Sequence, residues 1–129
     1  MKQKEIKVLM VAPGEYPKEV VLENNLDALQ KAVSIDCDYQ GLIEAISLEK
    51  GVCIICNEEG KLLGLEGNRR LGSDIIAGVF YVVGEDKCGN FVSLTKTQME
   101  HYSKRFWLPE VFFPDDITDL IYAFIHMGW

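Results

Sequence analysis

The stretch Asp74-Ile75-Ile76-Ala77-Gly78-Val79-Phe80-Tyr81-Val82-Val83-Gly84 decides how the chain is read. From Ile75 to Val83 it is continuously apolar, the pattern of a central strand covered on both faces. Such a strand needs neighbours and two covering layers, and the flanking sequence supplies them. Ile6–Val11 and Lys18–Leu22 are extended, apolar-rich segments on either side of the turn signal Ala12-Pro13-Gly14, which together read as a hairpin. Leu42–Leu48 and Gly51–Asn57 read as two further strands, the second stopped by Glu58-Glu59-Gly60. Phe91–Leu94 adds a short strand after the turn Gly84–Asn90.

Helices fill the intervals. Asn24 or Asn25 caps a short one by accepting a hydrogen bond from a free backbone N–H, and Leu26, Leu29 and Val33 fall on one face at i, i+3 and i+7. Thr95 with Gln98, and Thr97 with Glu100, form two overlapping capping boxes ahead of a second helix whose apolar positions are Met99, Tyr102 and Phe106. A third helix is expected from Asp115 or Asp116 to about Met127. From Leu120 onward only His126 and Gly128 interrupt the apolar side chains, and a terminal helix without a polar face is expected to pack against a second subunit. The expected fold is therefore α+β, a small and mostly antiparallel β-sheet with flanking helices and an apolar C-terminal helix at an oligomer interface. One domain is expected over residues 1–129, with a core at about 5–106 and a helical extension at about 107–129.

Composition narrows the function classes. The chain has 129 residues, 48% of them hydrophobic, and a formal net charge of −7, which suits a single buried core. No stretch approaches the ~18 consecutive apolar residues of a membrane helix, and no apolar signal region follows Met1–Lys7, so a cytoplasmic protein without a membrane partner is expected. The acidic balance argues against DNA as a partner, because neutralising a phosphate backbone takes a broad basic face. It leaves room for a small anion in a local basic pocket.

Cys53 and Cys56 have the spacing of half a zinc site, but on a strand residues three apart point to opposite faces and do not converge on one metal. Cys37 and Cys88 lack a local Cys or His partner, so all four read as buried, reduced thiols, with no metal and no cofactor. No Ser or Cys sits in a glycine-flanked elbow, and neither His101 nor His126 completes a triad. Glu58-Glu59, Glu85-Asp86 and Asp115-Asp116 lie in turns or at a helix start, where solvation and capping account for them. No catalytic residue is assigned.

Two features point to ligand binding. A glycine-punctuated loop over Asn57–Gly72 brings Asn68, Arg69 and Arg70 together just before the central strand; guanidinium groups hold phosphate through paired N–H bonds, although arginine pairs also serve as solvated or carboxylate-bonded surface. On the strand itself Ile76, Gly78, Phe80 and Val82 share a side, which sets an aromatic ring beside a residue with no side chain. A purine can stack on such a platform at ~1–3 kcal/mol per base. Taken alone, the strand position favours Phe80 as ordinary core.

The ordered set Lys7–Gly14, Asn25–Gln30, Ile55–Leu62, Asn68–Gly72, Asp74–Gly78 with Phe80, and Phe91–Thr95 resembles a family of small phage and prophage proteins, the Thoeris anti-defence sponges of the first described type, long classed as a domain of unknown function. The resemblance spans roughly residues 5–106. It implies a non-enzymatic protein in the cytoplasm of an infected or lysogenic bacterial host. Such a protein sequesters cyclic ADP-ribose isomers made by TIR-domain enzymes without degrading them, so the defence effector is not switched on. Family ligand contacts include a phenylalanine stacking on adenine and an asparagine ten residues later, which correspond to Phe80 and Asn90. Basic residues assist with the phosphates, for which Arg69, Arg70 and Arg105 are the candidates, with Asn68 and Gly78 beside them. The resemblance further implies pockets at a dimer interface and, in some members, hexamers built as trimers of dimers that also accept cyclic trinucleotides. Two other readings remain open from the residues: a protein-binding inhibitor of a host defence nuclease, and a phosphodiesterase for which His101 is the candidate water-activating group.

Overall fold

Two hairpins meet on one central strand. In the computed structural model, which describes residues 3–112, β1 (Glu5–Val11) pairs antiparallel with β2 (Lys18–Glu23), and α1 (Leu26–Ala32) follows directly. β3 (Ile43–Glu49) and β4 (Val52–Asn57) form the second antiparallel pair. β5 (Gly67–Leu71) and β6 (Asp74–Ala77) make a separate two-stranded ribbon. β7 (Phe80–Glu85) inserts between the hairpins, and β8 (Phe91–Val92) and α2 (Lys96–Arg105) complete the described chain. The sheet runs β2-β1-β7-β4-β3, with β8 pairing to the far end of β7, and every pair is antiparallel.

Both faces of this sheet are covered, which is why β4 and β7 carry almost no polar alternation. Ile6, Val8, Cys53, Ile55, Tyr81 and Val83 pack with Leu29, Ala32 and Val33 of α1 on one side. Leu9, Val11, Ile54, Cys56, Phe80 and Val82 pack on the other with Tyr102 and Phe106 of α2 and with Ile76 of the ribbon. Val82 sits opposite Leu9 on one neighbour and Ile54 on the other, so it lies at the middle of the core and is fully buried. Cys53 and Cys56 face opposite sides, as the strand reading requires. Asn25 caps α1 through its side chain and Ala28 N (2.8 Å), and Thr95 with Gln98 closes the capping box of α2.

The apolar run 75–83 is not one strand. At Gly78 the chain adopts φ +85°, and its amide bonds Glu66 O at 2.8 Å instead of continuing a ladder. A Cβ there would lie 2.8 Å from Leu65 Cδ1 and 3.1 Å from Asp36 Oδ2, so glycine is required by conformation and by space. The side chain of Asp36 accepts the next amide, that of Val79, at 3.1 Å. β6 therefore pairs with β5 and β7 with the main sheet, while Ile76, Phe80 and Val82 still reach the same core cluster. Both strands are buried, so periodicity registers no change when the hydrogen-bond partner changes.

Three other expectations need correction. Asn68, Arg69 and Arg70 lie in β5, not in a loop, because their backbones ladder onto β6. Leu26 starts α1 on the solvent side and is 65% exposed, leaving Leu29 and Val33 to anchor it. Cys88 is exposed and Cys37 half-buried, so only Cys53 and Cys56 are core thiols, although all four are free. The expected C-terminal helix and His126 lie outside the described residues.

Candidate functional site

Four of the expected site residues converge, and they do so inside the protein. Asn68 is fully buried and donates from Nδ2 to Val11 O and Gly78 O, both at 2.8 Å, tying the end of β1 to the glycine bend. Arg69, only 1% exposed, spreads its guanidinium over neutral acceptors: Nε to Phe106 O (3.0 Å), Nη1 to Asn68 Oδ1 (2.8 Å) and Asn68 O (3.2 Å), and Nη2 to Glu15 O (2.6 Å). Among the described residues it makes no salt bridge. Burial pulls its pKa below the ordinary arginine value, and the charge of Glu110 partly opposes the shift. A guanidinium remains charged in such a place, so the site is a buried positive charge held by main-chain carbonyls and the side-chain carbonyl of Asn68.

Phe80 adjoins this network and is fully buried. Phe106, the C-cap residue of α2, meets it edge-on with ring centroids 5.2 Å apart. The ring that the sequence offers as a stacking platform is therefore a core side chain in the single chain, closed in by the same residue whose carbonyl binds Arg69. The remaining candidates lie elsewhere. Arg70 is exposed; its amide donates to Glu110 Oε2 at 2.8 Å and its guanidinium lies 5.6 Å from the Phe112 ring centroid. Arg105 is exposed, with its guanidinium 5.2 Å from the Phe106 ring centroid.

Asn90 is not near Phe80 within one chain. It lies in the turn beyond the far end of β7, separated from Phe80 by about 16 Å of strand. Its backbone amide donates to Asp86 Oδ1 at 2.9 Å and its side-chain amide to Asp86 Oδ2 at 3.3 Å. These bonds hold the Asp86 carboxyl below the ordinary carboxylate range.

Two concave features flank the sheet. A cavity of about 170 Å³ is lined by Cys56, Asn57, Ile75, Ile76 and the carboxylates of Glu44 and Asp74, with Lys61 paired to Asp74. Its carboxylate rim, which also includes Glu58 and Glu59, is unsuited to a pyrophosphate. Burial and the neighbouring Glu44 push the Cys56 thiol up to about 12, and burial pushes Cys53 up to about 11, which leaves neither as a nucleophile at neutral pH. A groove of about 330 Å³ runs between α2 and the β1–β2 hairpin, beside an exposed stack of Tyr16 on Trp107. Tyr16, Trp107 and the acceptor carbonyls of Glu15 and Phe106 escape a reading of the sequence. The first two carry no motif, and a main-chain acceptor leaves no residue-type signature.

Residues 6–107 match the family described as "Domain of unknown function (DUF3846)". The chain belongs to the DUF3846 family. The matched span runs from β1 to the residue after the α2 cap, so the whole Arg69–Phe106 network lies within the DUF3846 domain, whereas Phe112 and the apolar terminus fall beyond it. Neither the curated proteins nor the solved structures include a match to this DUF3846 chain. Among the described residues no group of His, Cys, Asp and Glu is placed to hold a metal ion, and no helix is long and apolar enough to cross a membrane.

Proposed function

We propose that the protein is an anti-defence sponge. It binds a cyclic ADP-ribose isomer, holds it without cleavage and so withholds it from a bacterial TIR-dependent effector, acting as a homo-oligomer in the host cytoplasm. The observation that supports this reading is Arg69, a charged donor kept on neutral carbonyls next to Asn68, Gly78 and Phe80. A phosphate oxygen is a stronger acceptor for guanidinium than a main-chain carbonyl. Exchange of Phe106 O for a pyrophosphate oxygen frees Arg69 Nε for the ligand, and withdrawal of the Phe106 ring opens a face of Phe80 to a purine. The exposed Arg105, adjacent in sequence to Phe106, and Arg70 supply further charge at the entrance. Asn90, at the other end of β7, contributes to the same ligand only from a second copy, in keeping with a pocket between subunits.

The reading is tested at the surface arginines, whose replacement spares the core. Arg70→Glu with Arg105→Glu is expected to weaken binding of a synthetic cyclic ADP-ribose isomer at least tenfold with an unchanged melting temperature. Native affinity in that variant contradicts the assignment of these residues. The exposed Tyr16–Trp107 pair, with Leu108 and Val111, supports a second reading, a protein-directed inhibitor of a host defence nuclease. Such a protein is expected to ignore the nucleotide.

A further inference from the structure

Two exposed aromatic residues each sit one peptide unit away from the buried cation. Arg69 donates from Nη2 to Glu15 O at 2.6 Å and from Nε to Phe106 O at 3.0 Å, and the residues that follow those two carbonyls are Tyr16 and Trp107. A carbonyl oxygen shares a rigid plane with the nitrogen and Cα of the next residue, so each bond fixes the plane from which an aromatic side chain departs. On the surface the two rings stack, with centroids 4.7 Å apart and planes 24° from parallel, although Tyr16 is 57% exposed and Trp107 47%. The other main-chain bonds of these segments are local: Glu15 N donates to Ala12 O at 3.2 Å, and Trp107 N to Lys104 O at 3.3 Å. Among the described residues, Arg69 supplies the hydrogen-bonded link between the first turn and the end of α2.

Nε and Nη2 form one edge of the guanidinium, and that edge can grip two oxygens of a phosphate or carboxylate side by side. Here it is divided between main-chain carbonyls of two separate segments, while Nη1 is held by Asn68 O at 3.2 Å and Asn68 Oδ1 at 2.8 Å. A two-oxygen anion on that edge therefore displaces both carbonyls together and leaves Nη1 on Asn68. Both peptide planes are then released, and the ring pair loses its anchor on each side. Coupling of this kind is reciprocal: whatever tightens the stack weakens an anion at Arg69, and whatever loosens the stack makes the guanidinium easier to take.

We propose that Arg69 links the buried site to the Tyr16–Trp107 surface, so that an anion bound at its Nε–Nη2 edge unstacks the pair. The identity of that anion, the pyrophosphate of a cyclic ADP-ribose isomer, rests on the proposed function; the link itself does not.

Two measurements on full-length chains test it. The first needs no ligand: exchange of the Arg69 Nε–H with solvent is followed by NMR in the native chain and in Tyr16→Leu, a substitution at an exposed position that is expected to retain the fold. Loss of the stack is expected to speed that exchange by roughly two- to tenfold, the factor that corresponds to one aromatic pair. The amide of Val33, which donates to Leu29 O in α1 on the other side of the sheet, is expected to keep its rate. An unchanged Arg69 rate, or an acceleration shared equally by Val33, overturns the link. In the second measurement Trp129→Phe leaves Trp107 as the single tryptophan, labelled as 5-fluorotryptophan. As a synthetic cyclic ADP-ribose isomer is added, the fluorine resonance is expected to move toward its position in the Tyr16→Leu chain and to saturate with the heat of binding. Binding heat with a stationary resonance overturns the proposal and leaves the sponge reading intact. Absence of binding heat removes the sponge reading, and the exchange ratio then decides the link alone.

Discussion

Arg69 donates from Nε to the main-chain carbonyl of Phe106 at 3.0 Å, joining β5 to the end of α2 across 37 residues. With its bonds to Glu15 O and Asn68, this contact fastens the first turn, the ribbon and the second helix at one point. No carboxylate lies within salt-bridge distance of it among the described residues, so its hydrogen-bond partners are all neutral carbonyls, with the charge of Glu110 acting from farther away. The core gains definition there, and under the proposed function an anion takes the place of the Phe106 carbonyl.

Removal of this cation is expected to be costly. Arg69→Ala leaves the carbonyls of Phe106 and Glu15 without their donor and opens a void, a loss of about 3–5 kcal/mol in urea unfolding. Arg69→Lys is expected to recover little, because one ammonium does not span acceptors on three separate residues. A loss under about 1 kcal/mol for the alanine variant contradicts the hub.

At Phe80 fold and ligand readings separate by choice of substitution. Phe80→Ala empties a fully buried site and is expected to cost about 3–5 kcal/mol, so loss of activity in that variant says little about stacking. Phe80→Leu keeps an apolar filling at a cost of roughly 1.5 kcal/mol and removes the ring. If the ring stacks on adenine, Phe80→Leu is expected to fold cooperatively, melting only several degrees below the native chain, and to lose nucleotide affinity. Undiminished affinity assigns Phe80 to the core alone.

The four thiols are expected to react in sequence. Cys88 is exposed and Cys37 half-buried, whereas Cys53 and Cys56 are buried with values pushed up to about 11 and 12. A disulfide-exchange reagent at neutral pH should modify Cys88 first and Cys37 more slowly, and reach the other two only on unfolding. Rapid modification of all four contradicts the packing of β4.

Acid stability provides a check on the 86–90 turn. Amide bonds from Asn90 and Cys88 favour the charged form of Asp86 and hold its carboxyl below the ordinary value of 3.8. A depressed folded-state value means that the stabilisation is fully present above the unfolded value and is lost as pH falls through the folded one. Carboxyl chemical shifts followed by NMR should therefore place the Asp86 midpoint below 3.8, and Asp86→Asn should flatten that part of the acid unfolding curve. A midpoint above 3.8 contradicts the turn geometry.

The hairpins, the helix caps and the opposed faces of Cys53 and Cys56 were legible because each depends on neighbours within a few residues. The break at Gly78 was not. It depends on Asp36 and Leu65, distant in sequence, which take the amide of Val79 and the space beside Gly78. The apolar pattern runs through the bend unaltered because the strands on both sides are buried. The candidate site was legible as a set of residue types and illegible as an arrangement. Asn68, Arg69, Gly78 and Phe80 do meet, but apart from Asn68 Oδ1 the acceptors that bury Arg69 are main-chain carbonyls of Glu15, Asn68 and Phe106, and any residue can present those. Phe80 and Asn90 are paired by the resemblance alone, and β7 holds them at opposite ends.

The most direct test of the central claim is calorimetry of the full-length protein with a synthetic cyclic ADP-ribose isomer, followed by heat release and chromatography of the nucleotide. Saturable binding with recovery of the intact cyclic nucleotide is the predicted result. Absence of binding, or recovery of a linear product, contradicts it.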